Sequence, residues 1–212
     1  MAILLYCVTS DSPSMHSQPG VAGSLVSHLE RSGLTIFFSE NPTTDLWLKG
    51  PLSKSVNEFH RVQQEIFRGT GIIPFRFPTI LEDGDKLRAH LEERSGEYIN
   101  LLARFANFVQ IDITVTQTAS SPRPSGADYL RERQNRNRTL DEFTTQLRSE
   151  AGTLAKDWRQ RSIANGLRCF ALVERKQVQE FNERMKTVSM PSQLSARVSG
   201  PWPVAEFLDF KS

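Results

Sequence analysis

Apolar and polar positions along the chain follow two different periods, and together these predict a mixture of helices and strands. Apolar runs and two-residue alternation predict strands at 1–8, 34–38 and 72–77. Between them, apolar residues three or four positions apart predict helices at 21–31 and 53–68. The first part of the chain is therefore expected to form an N-terminal α/β domain with the order βαβαβ.

Both periods also occur in the second part of the chain. Helical spacing predicts a helix at 85–105 and a long helix at 126–158 that is either continuous or broken. Strict alternation at 109–115 predicts a strand with one face buried and the other in water. The last predicted elements are a strand, a helix and a strand, at 168–173, 178–185 and 194–198. This order is compatible with the ferredoxin-like arrangement, an antiparallel sheet covered by helices on one face, with an extra long helix.

Two domains are expected from the length and from one acidic turn. A chain of 212 residues is long enough for one large domain or two small ones. Glu82, Asp83, Gly84 and Asp85 form a cluster that is typical of a turn followed by a helix start. We therefore expect an N-terminal α/β domain over 1–80 and a ferredoxin-like domain over 81–212, which makes the fold class α+β.

Net charge, cysteine positions and hydropathy limit the partners and the cellular location that the sequence predicts. The 26 basic and 24 acidic side chains give a net charge of +2, too small to predict nucleic acid as a partner. Cys7 and Cys169 lie in separate apolar runs and are expected to be buried free thiols, which suits a reducing cytoplasm. No stretch approaches the roughly 20 apolar residues of a membrane span, and the apolar N-terminus is interpreted as a strand. The sequence thus predicts a cytoplasmic protein that is not integral to a membrane.

No familiar catalytic or metal-binding motif is visible in the sequence. The chain lacks a P-loop, a Gly-x-Ser-x-Gly elbow and a Cys-x-x-Cys pair. Its histidines, at 16, 28, 60 and 90, are not spaced to place two ligands on one helical face. We predict a protein that is not an enzyme and needs no cofactor or metal. A hydrolase would require a base and a nucleophile brought together by the fold.

An arginine-rich stretch is the one marked charge feature. Residues 123–168 contain ten basic and six acidic side chains, and the arginines lie closest together at Arg131, Arg133, Arg136 and Arg138. The stretch is either a docking face for an acidic partner, since arginine binds carboxylates bidentately, or a solvated helix. Because aromatic residues for base stacking are missing nearby, nucleic acid is disfavoured.

Two short proline-containing motifs also need an explanation. In the motif Pro-Phe-Arg-Phe-Pro, Phe75 and Phe77 share one face of the predicted strand while Arg76 points to the other. In the motif Gly-Pro-Trp-Pro that begins at Gly200, the prolines hold Trp202 rigidly at the end of the last strand. Trp202 is either an interface residue or a cap on the core, because aromatic residues dominate both.

Three motifs in order resemble those of the gas vesicle accessory family GvpL/GvpF. The run Ile-Ile-Pro-Phe-Arg-Phe at 72–77 resembles the family's "vlPFRFGT" strand. The run Ser-Gly-Ala-Asp-Tyr-Leu-Arg at 125–131 is similar to the "sGraYLlrr" start of its long helix. The run Arg-Val-Ser-Gly-Pro-Trp-Pro at 197–203 is similar to its "ltGPWPPYsF" motif. Together the motifs span almost the whole chain.

The resemblance implies both a fold and a role. The implied fold is an N-terminal α/β domain followed by a ferredoxin-like domain, and the implied role is non-enzymatic, in gas vesicle assembly. The implied partners are the small gas vesicle shell protein and other gas vesicle accessory proteins, and the implied location is cytoplasmic and gas vesicle associated. The candidate protein-binding positions are motif residues and two of the arginines: Phe75, Arg76, Tyr129, Arg131, Arg133, Gly200, Pro201 and Trp202.

Two departures from the family pattern leave alternatives open. Pro78 stands where the family has glycine, and residues 204–206 are Val-Ala-Glu where Pro-Tyr-Ser is usual. Pro78 removes a backbone donor and excludes the positive φ that glycine allows. One alternative is a diverged member with a different protein partner. The other is a ligand-sensing regulatory module, suggested by fold analogy alone.

Overall fold

Two antiparallel sheets with accompanying helices make up the described part of the chain. The computed structural model describes residues 1–11, 19–42, 51–118 and 126–209, with the backbone alone for 126–130, 132, 133 and 136. The mixture of helices and strands confirms the α+β class. Among the described residues, no helix is long and apolar enough to cross a membrane.

The first compact unit consists of Met1–Asn107 and Pro203–Ser212. Its strands are β1 to β5, at Ala2–Thr9, Val26–Arg31, Leu34–Asn41, Ile73–Pro74 and Ile80–Leu81. Its helices are α1 at Leu52–Gly69 and α2 at Gly84–Phe105. The sheet order is β2-β3-β1-β4, and β5 also pairs with β1, so β1 has partners on both sides.

The helix predicted at 21–31 is wrong. Residues 21–23 form a single 3₁₀ turn, and β2 then pairs with β3 as a hairpin. The physical reason lies in the turn between the strands, where Ser32 and Gly33 have φ values of 53° and 73°. Two successive positive φ values are typical of the tight turn that matches the twist of a hairpin. The order is therefore βββαββα in place of βαβαβ, and the strand predicted at 72–77 is reduced to β4.

Helix α2 belongs to the first unit, although the sequence suggested that it opens the second domain. Asp83 caps its N-terminus by accepting a hydrogen bond from the backbone N–H of Lys86 at 2.8 Å. Its predicted apolar face is confirmed, because the residues on that face are buried: Leu87, Leu91, Tyr98, Leu102 and Phe105. The first four of these form one core cluster with residues of β1, β3 and β4. The first unit therefore continues to Asn107, beyond the expected boundary at 80/81.

The second compact unit, Phe108–Trp202, contains four strands and two α-helices among its described residues. Its strands are β6 to β9, at Phe108–Gln117, Ala155–Ile163, Gly166–Glu174 and Leu194–Trp202. Its helices are α3 at Gly126–Ala151 and α4 at Val178–Thr187. The chain order βαββαβ and the antiparallel sheet order β7-β8-β6-β9 define the ferredoxin-like arrangement.

The helix predicted at 126–158 ends earlier than expected. Helix α3 stops at Ala151, Gly152 takes a φ of 50°, and β7 follows a short 3₁₀ turn. β7 pairs with β8 across a turn that ends at Gly166, whose φ is 155°. A Cβ at Gly166 would lie 1.9 Å from the Val115 carbonyl oxygen, so glycine is required there. The second unit thus has one more strand than the sequence predicted.

Helices α3 and α4 supply the core on one face of this sheet. Their buried side chains include Leu140, Phe143, Leu147, Phe181 and Met185. The other face is not simply in water, as the alternation in β6 had suggested, because Gln110 and Asp112 are buried there. The Asp112 carboxylate accepts hydrogen bonds from Arg168 at 2.5 Å and from the Gln110 amide at 2.7 Å. These bonds offset the cost of burying a charged group.

Candidate functional site

The motif that begins at Gly200 lies at the end of β9, on the edge of the second sheet. Within the described residues, β9 pairs with β6 only, and the register shifts between Gln110 and Asp112 opposite the motif. Gly200 has a φ of 129° and precedes a cis peptide bond to Pro201. A Cβ at Gly200 would lie 3.0 Å from the Gln110 carbonyl oxygen, so the close approach of the two strands requires glycine. Trp202 follows with 36% of its surface exposed, and it is therefore not a fully buried core residue.

An open apolar groove, here called the β9 groove, lies beside this edge. Its volume is about 440 Å³. Buried side chains of β6 and α3 line it, namely Ile113, Phe143 and Leu147. Its other lining side chains come from α4, from the segment after α4 and from β9, and they include Met185, Val188, Met190, Ala196 and Val198. Met190 is 49% exposed and Val198 is 40% exposed, so large apolar side chains meet solvent at the groove.

Two polar side chains of α4 complete the β9 groove. The side-chain oxygen of Asn182 is buried, yet it accepts no hydrogen bond from the described residues. A buried acceptor left without a donor costs about 1–3 kcal/mol. Lys186 lines the same groove and forms no ion pair within the part of the chain that the structure describes. The groove can therefore offer one cation to an otherwise apolar ligand.

The second proline motif lies in the first unit, where Phe75 is half-buried against the core cluster. Its backbone N–H donates to the Tyr6 carbonyl at 2.9 Å, and its own carbonyl accepts from the Gln63 amide at 2.9 Å. Its ring centroid lies 5.9 Å from that of His90 and 6.1 Å from that of Tyr98. These contacts give Phe75 a packing role in the first unit.

His90 and Tyr98 form a hydrogen-bonded pair beside Phe75, with 2.8 Å between the His90 Nε2 and the Tyr98 hydroxyl. Burial lowers the pKa of His90, and the nearby Arg94 lowers it further. Burial raises the pKa of Tyr98 to about 12. Both side chains are therefore neutral at pH 7, which suits a structural hydrogen bond beside the Phe75 ring.

The remaining predicted site residues are distributed over both units. Arg76 is exposed in the first unit, and Arg131 is exposed on α3 of the second. The side chains of Tyr129 and Arg133 lie outside the described residues. Gly200, Pro201 and Trp202 are therefore the predicted positions that the structure brings together at one site, whereas Phe75 and Arg76 belong to the other unit.

Sequence reasoning did not predict that the residues of the groove lie together. Six lining residues were recognised as apolar positions of separate helices and strands, namely Ile113, Phe143, Leu147, Met185, Ala196 and Val198. Asn182 and Met190 carried no signal. An alternating pattern does not reveal that a strand lies at a sheet edge, because edge position depends on strand order. The motif at Gly200 did mark the correct strand end.

The fold and the groove define an α+β protein with a ferredoxin-like second unit and an apolar site at its sheet edge. The family model of the gas vesicle synthesis protein GvpL/GvpF matches residues 2–209. The chain belongs to this family, which confirms the resemblance seen in the three motifs. Among curated proteins, none matches the chain in sequence.

Solved structures of similar fold include two gas vesicle proteins. GvpF from Anabaena sp. PCC7120 superposes with a TM-score of 0.77 at 13% identity, over 100% of this chain and 97% of that one. GvpF from Microcystis aeruginosa gives a TM-score of 0.73 at 12% identity, over 97% of this chain and 98% of that one. At these identities the comparison establishes the shared fold over the full length of the chain.

Proposed function

We propose that this protein acts in gas vesicle assembly by binding other gas vesicle proteins and not by catalysing a reaction. Its membership of the GvpL/GvpF family supports an assembly role. The observation that carries the binding mode is the β9 groove, because exposed apolar side chains gathered around a cleft mark protein interaction sites. The proposed partners are the small gas vesicle shell protein and other accessory proteins, met at the gas vesicle in the cytoplasm.

The chemistry of the described side chains favours binding over catalysis. Burial raises the pKa of Cys169 to about 11 and raises the pKa of Cys7 as well. Because the thiolate is the reactive form, both thiols are poor nucleophiles. In the described ranges, no group of three or more His, Cys, Asp or Glu side chains could hold a metal ion.

The experiment is a pull-down of the purified protein with the shell protein and the accessory proteins of the same cell, at two salt concentrations. The key variant is Val198→Asp, which places a charge in the apolar groove. Its control is Gln160→Asp on the other edge strand, β7, an exposed position that does not line the groove. We expect Val198→Asp to weaken retention about tenfold or more, because a charged group in an apolar site is costly.

The outcomes separate the two candidate surfaces. Loss of retention in Val198→Asp but not in Gln160→Asp supports the β9 groove. Loss of wild-type retention at high salt implicates the exposed arginines of α3, among them Arg131, because salt screens surface charge. If the wild-type protein retains no gas vesicle protein at either salt, the proposed function is wrong.

A further inference from the structure

The hydrogen-bond register of β9 identifies which of its backbone groups point away from the sheet. The Thr118 N–H donates to the Gln193 carbonyl at 2.9 Å, one step beyond the β6–β9 pair Gln117↔Leu194. In an antiparallel pair, residues that exchange hydrogen bonds alternate with residues that do not. Ser195 and Arg197 therefore bond to β6, whereas the N–H and C=O groups of Ala196 and Val198 point outward. The bond from the Leu194 N–H to the Pro191 carbonyl, at 2.9 Å, fits this assignment.

The two edges of the second sheet differ in their protection against further strands. Edge strands usually carry charged side chains that prevent pairing with another chain. The edge strand β7 has four such residues, Lys156, Asp157, Arg159 and Arg161. The edge strand β9 has Arg197 alone, and its proline, Pro201, and its register shift lie beyond Ser199. β9 is therefore the edge strand with less protection against pairing with an added strand.

The β9 groove lies where an added strand would place its side chains. Val198 and Ala196 line the groove and also carry the outward backbone groups. A segment paired with them would therefore lie alongside the groove. Successive side chains of a strand point to opposite faces, so every second side chain of the added segment would face the groove. Apolar side chains of the segment would pack against the apolar lining of the groove. A carboxylate of the segment would pair with Lys186, which has no ion pair within the described residues.

We propose that β9 accepts an extended segment of a partner protein as a fifth strand of the second sheet. The segment has apolar residues at alternate positions and one acidic residue placed to pair with Lys186. Main-chain hydrogen bonds to Ala196 and Val198 supply affinity, and the β9 groove supplies selectivity. This inference rests on the proposed function for the origin of the segment, a gas vesicle protein, but the pairing itself can be tested separately.

The first test uses the whole chain and a capped peptide of about six residues, a usual strand length, with valine and threonine alternating and one glutamate. Backbone amide exchange is followed by NMR with and without the peptide. We expect the amides of Ala196 and Val198 to gain at least about tenfold protection, because hydrogen-bonded amides exchange slowly. No binding of this peptide, or binding that leaves both amides unprotected, would overturn the proposal.

The second test removes one outward donor. Ala196→Pro deletes an N–H that makes no bond to β6, so the existing ladder stays intact, whereas Ala196→Ser keeps the donor as a control. We expect the proline variant to bind the peptide about tenfold more weakly and the serine variant to bind it like the wild type. Equal binding by both variants, with equal melting temperatures, would show that β9 does not pair with the peptide.

The two proposals fail in distinguishable ways. If the wild-type protein retains gas vesicle proteins and Ala196→Pro retains them equally, strand addition is wrong and the proposed function stands. If the peptide binds with protection of Ala196 and Val198 but no gas vesicle protein is retained, strand addition stands and the proposed function is wrong. If Ala196→Pro fails to fold, amide protection in the wild-type protein still tests strand addition.

Discussion

Gly200 shows how a single residue fixes the end of an edge strand. Its φ of 129° lies in a region that side-chain-bearing residues rarely adopt. An added Cβ would also lie 3.2 Å from the Ile111 Cδ1 and 3.2 Å from the Trp202 Cδ1. Backbone strain and crowding therefore act together at this position, next to the exposed tryptophan.

We expect Gly200→Ala to lower the free energy of unfolding by at least about 1–3 kcal/mol, the cost of one residue held in a sparsely populated conformation. Gly96, inside α2, is the matched control, because nothing lies within 4 Å of an added Cβ there. Gly96→Ala should raise the free energy of unfolding by about 1 kcal/mol, since alanine favours a helix. Urea unfolding of both variants checks the prediction, and a neutral Gly200→Ala would contradict it.

At the scale of elements, one glutamine joins helix α1 to two segments of the first unit. The Gln63 amide nitrogen donates to the Tyr6 carbonyl at 2.7 Å and to the Phe75 carbonyl at 2.9 Å. Gln63 is buried on the same helix as the apolar residues Phe59, Val62 and Ile66. The helix therefore packs through an apolar face and is also fixed by hydrogen bonds to β1 and to the residue after β4.

We expect Gln63→Leu to lower the free energy of unfolding by about 1–3 kcal/mol, because the Phe75 carbonyl loses this donor. Gln64→Leu, at the half-buried neighbouring position, should change it by much less. Thermal melting of both variants is the measurement. If Gln63→Leu is as stable as the wild type, the contact of the glutamine with the two carbonyls does not hold the helix in place.

The elements that the sequence predicted correctly are those with a strong local period. Helices α1 and α2 and strand β6 show long, regular apolar stripes, and the structure buries those stripes. Strand β2 was mistaken for a helix because a spacing of four among Val21, Leu25 and Leu29 also fits a helical face. β7 carries few apolar side chains, and pairing with β8 makes it a strand. Such pairing depends on the neighbouring strand, which the pattern within a single segment does not encode.

At the scale of the whole molecule, the chain passes through the second unit and then returns to the first. The returning segment includes Val204 and Phe207, which are 2% and 1% exposed. Leu208 packs against the core cluster of the first unit. The sequence motif at Gly200 predicted the end of the last strand, but nothing in it indicated that the following residues complete the other unit.

We expect Phe207→Ala to lower the free energy of unfolding by about 3–5 kcal/mol, as for other buried phenylalanines, whereas Phe207→Leu should cost less because it leaves a smaller cavity. Amide exchange should show the largest loss of protection in β1 and β3 and a smaller loss in β6 and β8. Equal losses in all four strands would contradict the assignment of this segment to the first unit.

This return also affects the order in which the protein can fold during synthesis. Residues 203–209 are synthesised after the whole of Phe108–Trp202, although they belong with Met1–Asn107. The unit made first must therefore wait for its missing segment until synthesis of the given chain is almost complete. We therefore expect nascent chains stalled between Asn107 and Trp202 to keep the first unit protease-sensitive, in contrast to the usual N-terminal-first order.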